Sequence, residues 1–110
     1  MAITAREVGR KSPGDTAAIA MDFTPLLRSG ELLTGTPTVT EVDGSDLTIA
    51  NVGKNTAQIT VNGSTVAIGA AIQCTVSGGT SSTKYRVRMS CGTDSTPAQT
   101  LVRDGTFFVE

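Results

Sequence analysis

The clearest constraint on the fold is the strict alternation of apolar and polar residues in the segment KYRVRMSC, residues 84–91. Tyr85, Val87, Met89 and Cys91 fall on one face of an extended chain, and basic or hydroxyl side chains fall on the other. A helix would distribute the same residues around its axis, because its period is 3.6 residues rather than 2. The segment therefore predicts a strand with one buried face and one face in water.

Shorter segments of the same kind recur along the chain and are separated by turn signals. They include TAAIAMDF, residues 16–23, and TAQITV, residues 56–61. Thr is frequent throughout, and it suits pleated strands better than helices. About seven short strands at this spacing predict an all-β fold, an immunoglobulin-like antiparallel β-sandwich. The predicted core consists of Ile19, Met21, Phe23, Ile59, Ile72, Val76, Tyr85, Val87 and Met89.

The one helical signal is short and lies in the segment TPLLRSGE. Thr24 is a favourable N-cap and Pro25 suits the first helical position, which predicts a one-turn helix near Pro25–Ser29. Leu26 and Leu27 are expected to close one end of the core.

A turn signal at Pro13-Gly14-Asp15 divides the chain into an N-terminal arm, residues 1–14, and the sandwich, residues 15–110. The arm carries Arg6, Arg10 and Lys11. Phe107 and Phe108 are adjacent on the last predicted strand, so one ring points inward and the other outward. We consider three states of the arm: it runs along the final strand and covers Phe107 or Phe108, it is ordered by contact with another chain, or it stays disordered. These three cations and two rings are the candidate interaction residues.

The sole tyrosine of the chain, Tyr85, opens the penultimate strand after the Gly-rich segment SGGTSST. In immunoglobulin-like sandwiches a Tyr at this place bonds to the backbone of the loop that crosses between the sheets. Gly78 and Gly79 would supply the positive φ angles that such a corner needs. The alternative is a plain hairpin in which Tyr85 is only a large strand residue.

The residues indicate no catalytic chemistry and no cofactor or metal site. There is no His, so the usual Ser-His and Cys-His nucleophiles cannot form. Cys74 and Cys91 fall on apolar faces, which predicts buried, reduced thiols. We expect a protein that is not an enzyme and has no small-molecule substrate.

The charge and hydropathy patterns restrict the expected partners. The formal net charge is −1, so a surface that neutralises many phosphates is not expected, and we do not predict nucleic-acid binding. No apolar run has the length of about 20 residues that a membrane helix needs, and no signal peptide is recognisable. We expect synthesis in the cytoplasm and no membrane partner.

In four segments, taken in order, the chain resembles a family of small bacteriophage virion proteins, the fibre–tail adaptors. The segments are SPGDT (Ser12–Thr16), MDFTPLLRSGELL (Met21–Leu33), VSGGTSSTKYRVRMSC (Val76–Cys91) and TLVRDGTFFVE (Thr100–Glu110). The resemblance implies an immunoglobulin-like fold and a structural role in the virion.

By the same resemblance, the partners would be other virion proteins of the tail, connector or capsid, together with copies of the chain itself. The virion would be assembled in the cytoplasm of the host bacterium. Two alternatives remain open at this point: a decoration (cement) protein of the phage head, and a non-viral adhesin or carbohydrate-binding β-sandwich.

Overall fold

The computed structural model describes residues 6–42, 44–61 and 63–110, with the backbone alone for residues 6–8. In this part of the chain the only helical element is a single 3-10 turn, Thr24–Leu26. The strands are β1 (Arg6–Lys11), β2 (Ala17–Asp22), β3 (Leu33–Val42), β4 (Leu47–Lys54), β5 (Ile59–Val61), β6 (Ser64–Val66), β7 (Ala71–Gly78), β8 (Thr83–Thr93) and β9 (Thr100–Val109).

Two sheets form the sandwich. One has the strand order β1-β9-β8-β3, the other has the order β2-β7-β4, and β5 and β6 form a separate hairpin. The pairs within the two larger sheets are antiparallel, except that β1 runs parallel to β9. The strand order is that of immunoglobulin-like domains: β2, β7 and β4 occupy the places of strands B, E and D, and β3, β8 and β9 those of C, F and G. The predicted all-β, immunoglobulin-like sandwich is confirmed.

The register explains why the alternating segments fold as they do. Tyr85 lies opposite Phe107 in the β8–β9 pair, and Ile19 lies opposite Cys74 in the β2–β7 pair. These inward residues fill the space between the sheets. The buried core is made of Ile19, Met21, Phe23, Leu33, Ile72, Cys74, Val76, Tyr85, Val87, Met89, Cys91, Phe107 and Val109.

Three of the sequence expectations need correction. Ile59 does not join the main core; it is half-buried against a smaller cluster around Val66 at the β5–β6 hairpin. Thr24 does not cap the helical turn but is its first residue, and its N–H donates to Asp22 Oδ1 at 2.8 Å. Leu26 remains 40% exposed, and only Leu27 packs against the core.

The helical turn begins one residue earlier than expected, because Phe23 and not Thr24 occupies the N-cap position. The turn ends after three residues, so Leu26 lies on its outer side while the extended chain at Leu27 carries the next side chain inward.

A buried asparagine connects the β5–β6 hairpin to the sandwich. Asn55 is 2% exposed, and its amide nitrogen donates to the carbonyls of Ala57 and Ala67 at 3.0 and 2.8 Å. Its Oδ1 accepts the N–H groups of Gly69 and Ala71, both at 3.0 Å. One side chain thereby satisfies four backbone groups where β4 ends and β7 begins.

Candidate interaction surfaces

Residues 6–11 lie on the chain's own sheet as strand β1, where Arg10 is opposite Phe108 of β9. Phe107 is fully buried, and the adjacent Phe108 faces outward. The guanidinium carbon of Arg10 lies 5.3 Å from the centroid of the Phe108 ring, within cation–π range. Arg10 also approaches Glu110, at 3.9 Å between Nη1 and Oε1. The outward ring is therefore covered by a cation from β1.

The fit between β1 and the core depends on a glycine. A Cβ atom at Gly9 would lie 2.9 Å from Cγ2 of Ile19 and 3.4 Å from the ring of Phe107. Real Cβ atoms do not approach other atoms as closely as 2.9 Å, so a side chain here would push β1 away from the sandwich. β1 is thus packed directly on the core.

The other candidate residues of the N-terminal segment lie differently. Lys11 is 4% exposed, and its Nζ donates to the carbonyl of Ser12 at 3.2 Å. Arg6 begins the strand pairing opposite Gly105, and its side chain is outside the described part of the chain, as are residues 1–5. Partner contacts by these residues, and the division into arm and sandwich, stay predictions.

The outward surface of the four-stranded sheet is basic. Lys84, Arg86 and Arg88 alternate along β8, an inner strand of this sheet, and Arg10 adds a fourth cation from β1. Among the side chains that the structure describes, Asp104 lies between these cations: Nε and Nη2 of Arg88 donate to its two oxygens at 2.8 and 3.1 Å, and Nε of Arg86 lies 3.8 Å from Oδ2. The hydrogen bonds from Arg88 hold the pKa of Asp104 below its ordinary value. We call Arg10, Lys84, Arg86, Arg88 and Asp104 the basic face.

The adjoining end of the sandwich carries exposed carboxylates. Asp15 Oδ2 accepts the N–H of Ser12 at 3.2 Å. The hydroxyl of Ser81, in the loop between β7 and β8, donates to the backbone carbonyl of Glu110 at 2.9 Å. Asp46 accepts a hydrogen bond from the tyrosine that follows the same loop. We call Asp15, Asp46 and Glu110 the acidic end.

Tyr85 anchors the loop at this end. Its hydroxyl accepts the N–H of Thr80 at 2.6 Å and donates to Oδ2 of Asp46 at 3.2 Å. Gly78 and Gly79 have φ angles of 77° and 92°. The loop crosses from the sheet that contains β7 to the sheet that contains β8, as a corner between sheets does and a plain hairpin does not.

The opposite end of the sandwich is held by a buried carboxylate. Oε1 of Glu31 accepts the N–H of Arg28 and the side-chain amide of Gln99, both at 2.8 Å, and Oε2 accepts the hydroxyl of Ser95. The Arg28 N–H and the Ser95 hydroxyl lower the pKa of Glu31 from 4.5 to about 2. Glu31 therefore ties the β2–β3 loop to the β8–β9 loop in its ionised form.

Three apolar side chains are exposed at this same end. Leu26 and Leu32 belong to the β2–β3 loop, and Ile68 belongs to the connection that precedes β7. The two segments meet where the N–H of Leu33 donates to the carbonyl of Gly69 at 3.0 Å. This arrangement places an apolar surface at the end opposite the acidic one.

An open groove of about 450 Å³ lies between the β2-β7-β4 sheet and the β5–β6 hairpin. Its lining consists of small apolar and uncharged polar residues together with a buried thiol: Ala18, Ile19, Ala20, Asn51, Thr60, Val61, Gln73, Cys74 and Thr75. Such a lining can exchange hydrogen bonds with an uncharged ligand or a backbone.

The two thiols are free and buried, as the alternating pattern predicts. Burial raises the pKa of Cys74 to about 11, so its reactive thiolate is disfavoured at neutral pH.

Among residues 6–42, 44–61 and 63–110, no three His, Cys, Asp or Glu residues are grouped closely enough to hold a metal ion. In the same ranges, no helix has the length and apolar character needed to cross a membrane.

Sequence reasoning located some of these features and missed others. The outward position of Lys84, Arg86 and Arg88 follows from the alternation in β8. The position of Arg10 beside them does not follow from that alternation, because it depends on a parallel pairing between the two ends of the chain. Glu31 was missed as an anchor, since two of its partners, Ser95 and Gln99, lie more than 60 residues away in sequence.

Comparison with known proteins gives one family. The family model described as "Podophage GP4 fiber-tail adaptor protein gp77" matches residues 11–106. The matched segment contains β2 to β8 and most of β9, and it includes only the last residue of β1. Searches of curated proteins and of solved structures found no match.

Proposed function

We propose that this chain, which belongs to the family of podophage fiber-tail adaptor proteins, joins the tail of a phage particle to its fibres through protein–protein contacts. The observation that carries the proposal is the family match, which spans β2 to β8 and most of β9. The family has a structural role in the phage tail and is not an enzyme class. The expected partners are other virion proteins and further copies of the chain.

The surfaces of the sandwich support contact on more than one side. Arg10 and Phe108 reach the surface at the rim of the basic face, whereas Phe107 and Lys11 are buried. The apolar residues Leu26, Leu32 and Ile68 lie at the end opposite Tyr85. An adaptor must hold two structures at once, and surfaces of different chemistry at separate places suit that task.

The family match supports the adaptor role over both alternatives. A capsid decoration protein or a carbohydrate-binding sandwich is compatible with the same fold, because one β-sandwich serves many functions. The family description, however, refers to the tail and its fibres. We therefore place the chain in the virion tail and expect it to be made in the host cytoplasm.

Deleting the gene from the phage that encodes the chain tests the proposal. Particles made without the chain are expected to have DNA-filled heads with tails attached. Viewed by negative-stain electron microscopy, these tails should carry no fibres. Supplying the wild-type chain from a plasmid should restore the fibres. Particles that carry fibres and infect normally without the chain would contradict the adaptor role.

The same particles distinguish the head alternative. A decoration protein stabilises the capsid, so its loss makes filled heads release DNA at lower temperature while the fibres stay in place. The adaptor role predicts the reverse: unchanged head stability and missing fibres.

A further inference from the structure

We propose that copies of this chain bind one another through opposite charges, with the basic face of one copy against the acidic end of the next. The inference rests on the proposed function only in that the chain acts in several copies. The basic face and the acidic end lie on different sides of the sandwich, and a second copy of the chain would be the partner of both.

The basic face has the form of a fixed row of cations. Successive outward residues on a strand are about 7 Å apart, so Lys84, Arg86 and Arg88 extend over about 13 Å. Asp104 holds the two guanidinium groups in place. Arg86, Arg88 and Arg10 keep about half of their side-chain surface exposed, and Lys84 is exposed as well. Because β8 is an inner strand, its backbone is already paired, and a partner must bind these side chains.

The acidic end is similarly fixed by its contacts. Asp46 is bonded to Tyr85, whose hydroxyl also holds the loop between β7 and β8. That loop contacts Glu110 through Ser81, and the N–H of Glu110 donates to the carbonyl of Lys11 beside the turn that contains Asp15. The three carboxylates therefore lie along one connected rim of the sandwich and can meet a row of cations together.

A second copy is the partner that this charge distribution fits. The net charge of the chain is only −1, yet among the described side chains four cations share one sheet surface and three exposed carboxylates share one end. Within one chain the two surfaces meet at their common edge, where Arg10 approaches Glu110. Every copy brings both surfaces, and a contact between two different surfaces repeats from copy to copy as a ring or a filament.

Nucleic acid fits the basic face less well. Two of the four cations already share a carboxylate, and the remainder of the molecule is negatively charged overall. A polyanion would meet repulsion from Asp104 and from the nearby acidic end.

The test uses two complementary charge reversals in the full chain. The variant K84E/R86E reverses the basic face and keeps the Arg88–Asp104 pair. The variant D15K/E110K reverses the acidic end and keeps the Asp46–Tyr85 bond. Sedimentation velocity at about 0.05 M and about 0.5 M salt measures the assembly state, since the higher salt screens charges beyond a few ångströms.

We expect the wild type to associate at low salt and to dissociate at high salt. Each variant alone should associate at least about tenfold more weakly, because like charges then meet at the contact. Mixing the two variants should restore assemblies in which they alternate in a one-to-one ratio, since both surfaces of one variant are then acidic and both surfaces of the other are basic. The control T56E/Q58E, which adds two carboxylates at exposed positions before the β5–β6 hairpin, away from both surfaces, should associate as the wild type does.

The proposal is overturned if the wild type stays monomeric at low salt, if a single reversal associates as strongly as the wild type, or if the mixed variants remain apart. Retention of a short DNA duplex by the wild type but not by K84E/R86E, with no self-association, would instead identify nucleic acid as the partner. All of these outcomes concern the purified chain, so they are separate from the fibre loss that tests the adaptor role.

Discussion

Asn55 should be the polar residue whose loss costs the fold most. In Asn55→Ala the carbonyls of Ala57 and Ala67 and the N–H groups of Gly69 and Ala71 each lose a side-chain partner. A neutral hydrogen bond contributes about 1 kcal/mol net, and a buried group left without a partner costs about 1–3 kcal/mol. The N–H of Gly69 keeps the backbone carbonyl of Asn55 as an acceptor, and the carbonyl of Ala67 keeps the N–H of Ala70, both at 3.2 Å. The loss therefore falls mainly on Ala57 and Ala71 and should lower the free energy of unfolding by about 2–4 kcal/mol, a large part of the roughly 5–15 kcal/mol typical of a domain.

Urea unfolding followed by circular dichroism measures this loss, and the midpoint should fall without a change of slope. The matched control is Gln58→Ala, an exposed position on the same hairpin connection, where a change below about 0.5 kcal/mol is expected. If Asn55→Ala lowers the free energy of unfolding by less than about 1 kcal/mol, the four bonds do not hold the hairpin connection, and the reasoning is wrong.

Three further predictions follow from close contacts of single residues. Gly9→Val should lower the melting temperature, because the added side chain meets Ile19; an unchanged melting temperature would show that β1 is not packed on the core. Tyr85→Phe should cost about 1–3 kcal/mol in urea unfolding, since the Thr80 N–H loses its acceptor, and a neutral result would contradict the corner's role. Glu31 has a folded pKa below its unfolded value, so its contribution to stability is complete above about pH 4.5 and is lost as the pH falls toward about 2. Glu31→Gln should flatten the stability profile in that window, and an identical profile would refute the account.

The alternating segments predicted the sandwich because a period of two allows few other structures. Val87 and Met89 could be placed inward from the sequence, since a shift by one residue would turn every charged neighbour into the core. Tyr85 was recognisable as a corner residue for a similar reason: a lone aromatic residue after a glycine-rich loop fits few positions in such a fold.

The missed features depend on contacts between distant parts of the chain. Asn55 follows a turn signal, and nothing near it in sequence shows that its amide will be enclosed by residues 57–71. The pairing of β1 with β9 joins the two ends of the chain, so the cover that β1 gives to Phe108 could be proposed from the sequence only as one of three states of the arm. Local patterns specify which face of a strand is buried, whereas tertiary pairing decides which surface side chains meet.

Cryo-electron microscopy of the phage particle tests the central claim most directly. The account predicts density for this sandwich, with β1 beside β9 and the β5–β6 hairpin at one side, in the tail at the positions where the fibres attach. Density for the sandwich on the capsid surface, or fibres attached to the tail with no copy of the sandwich between them, would contradict it.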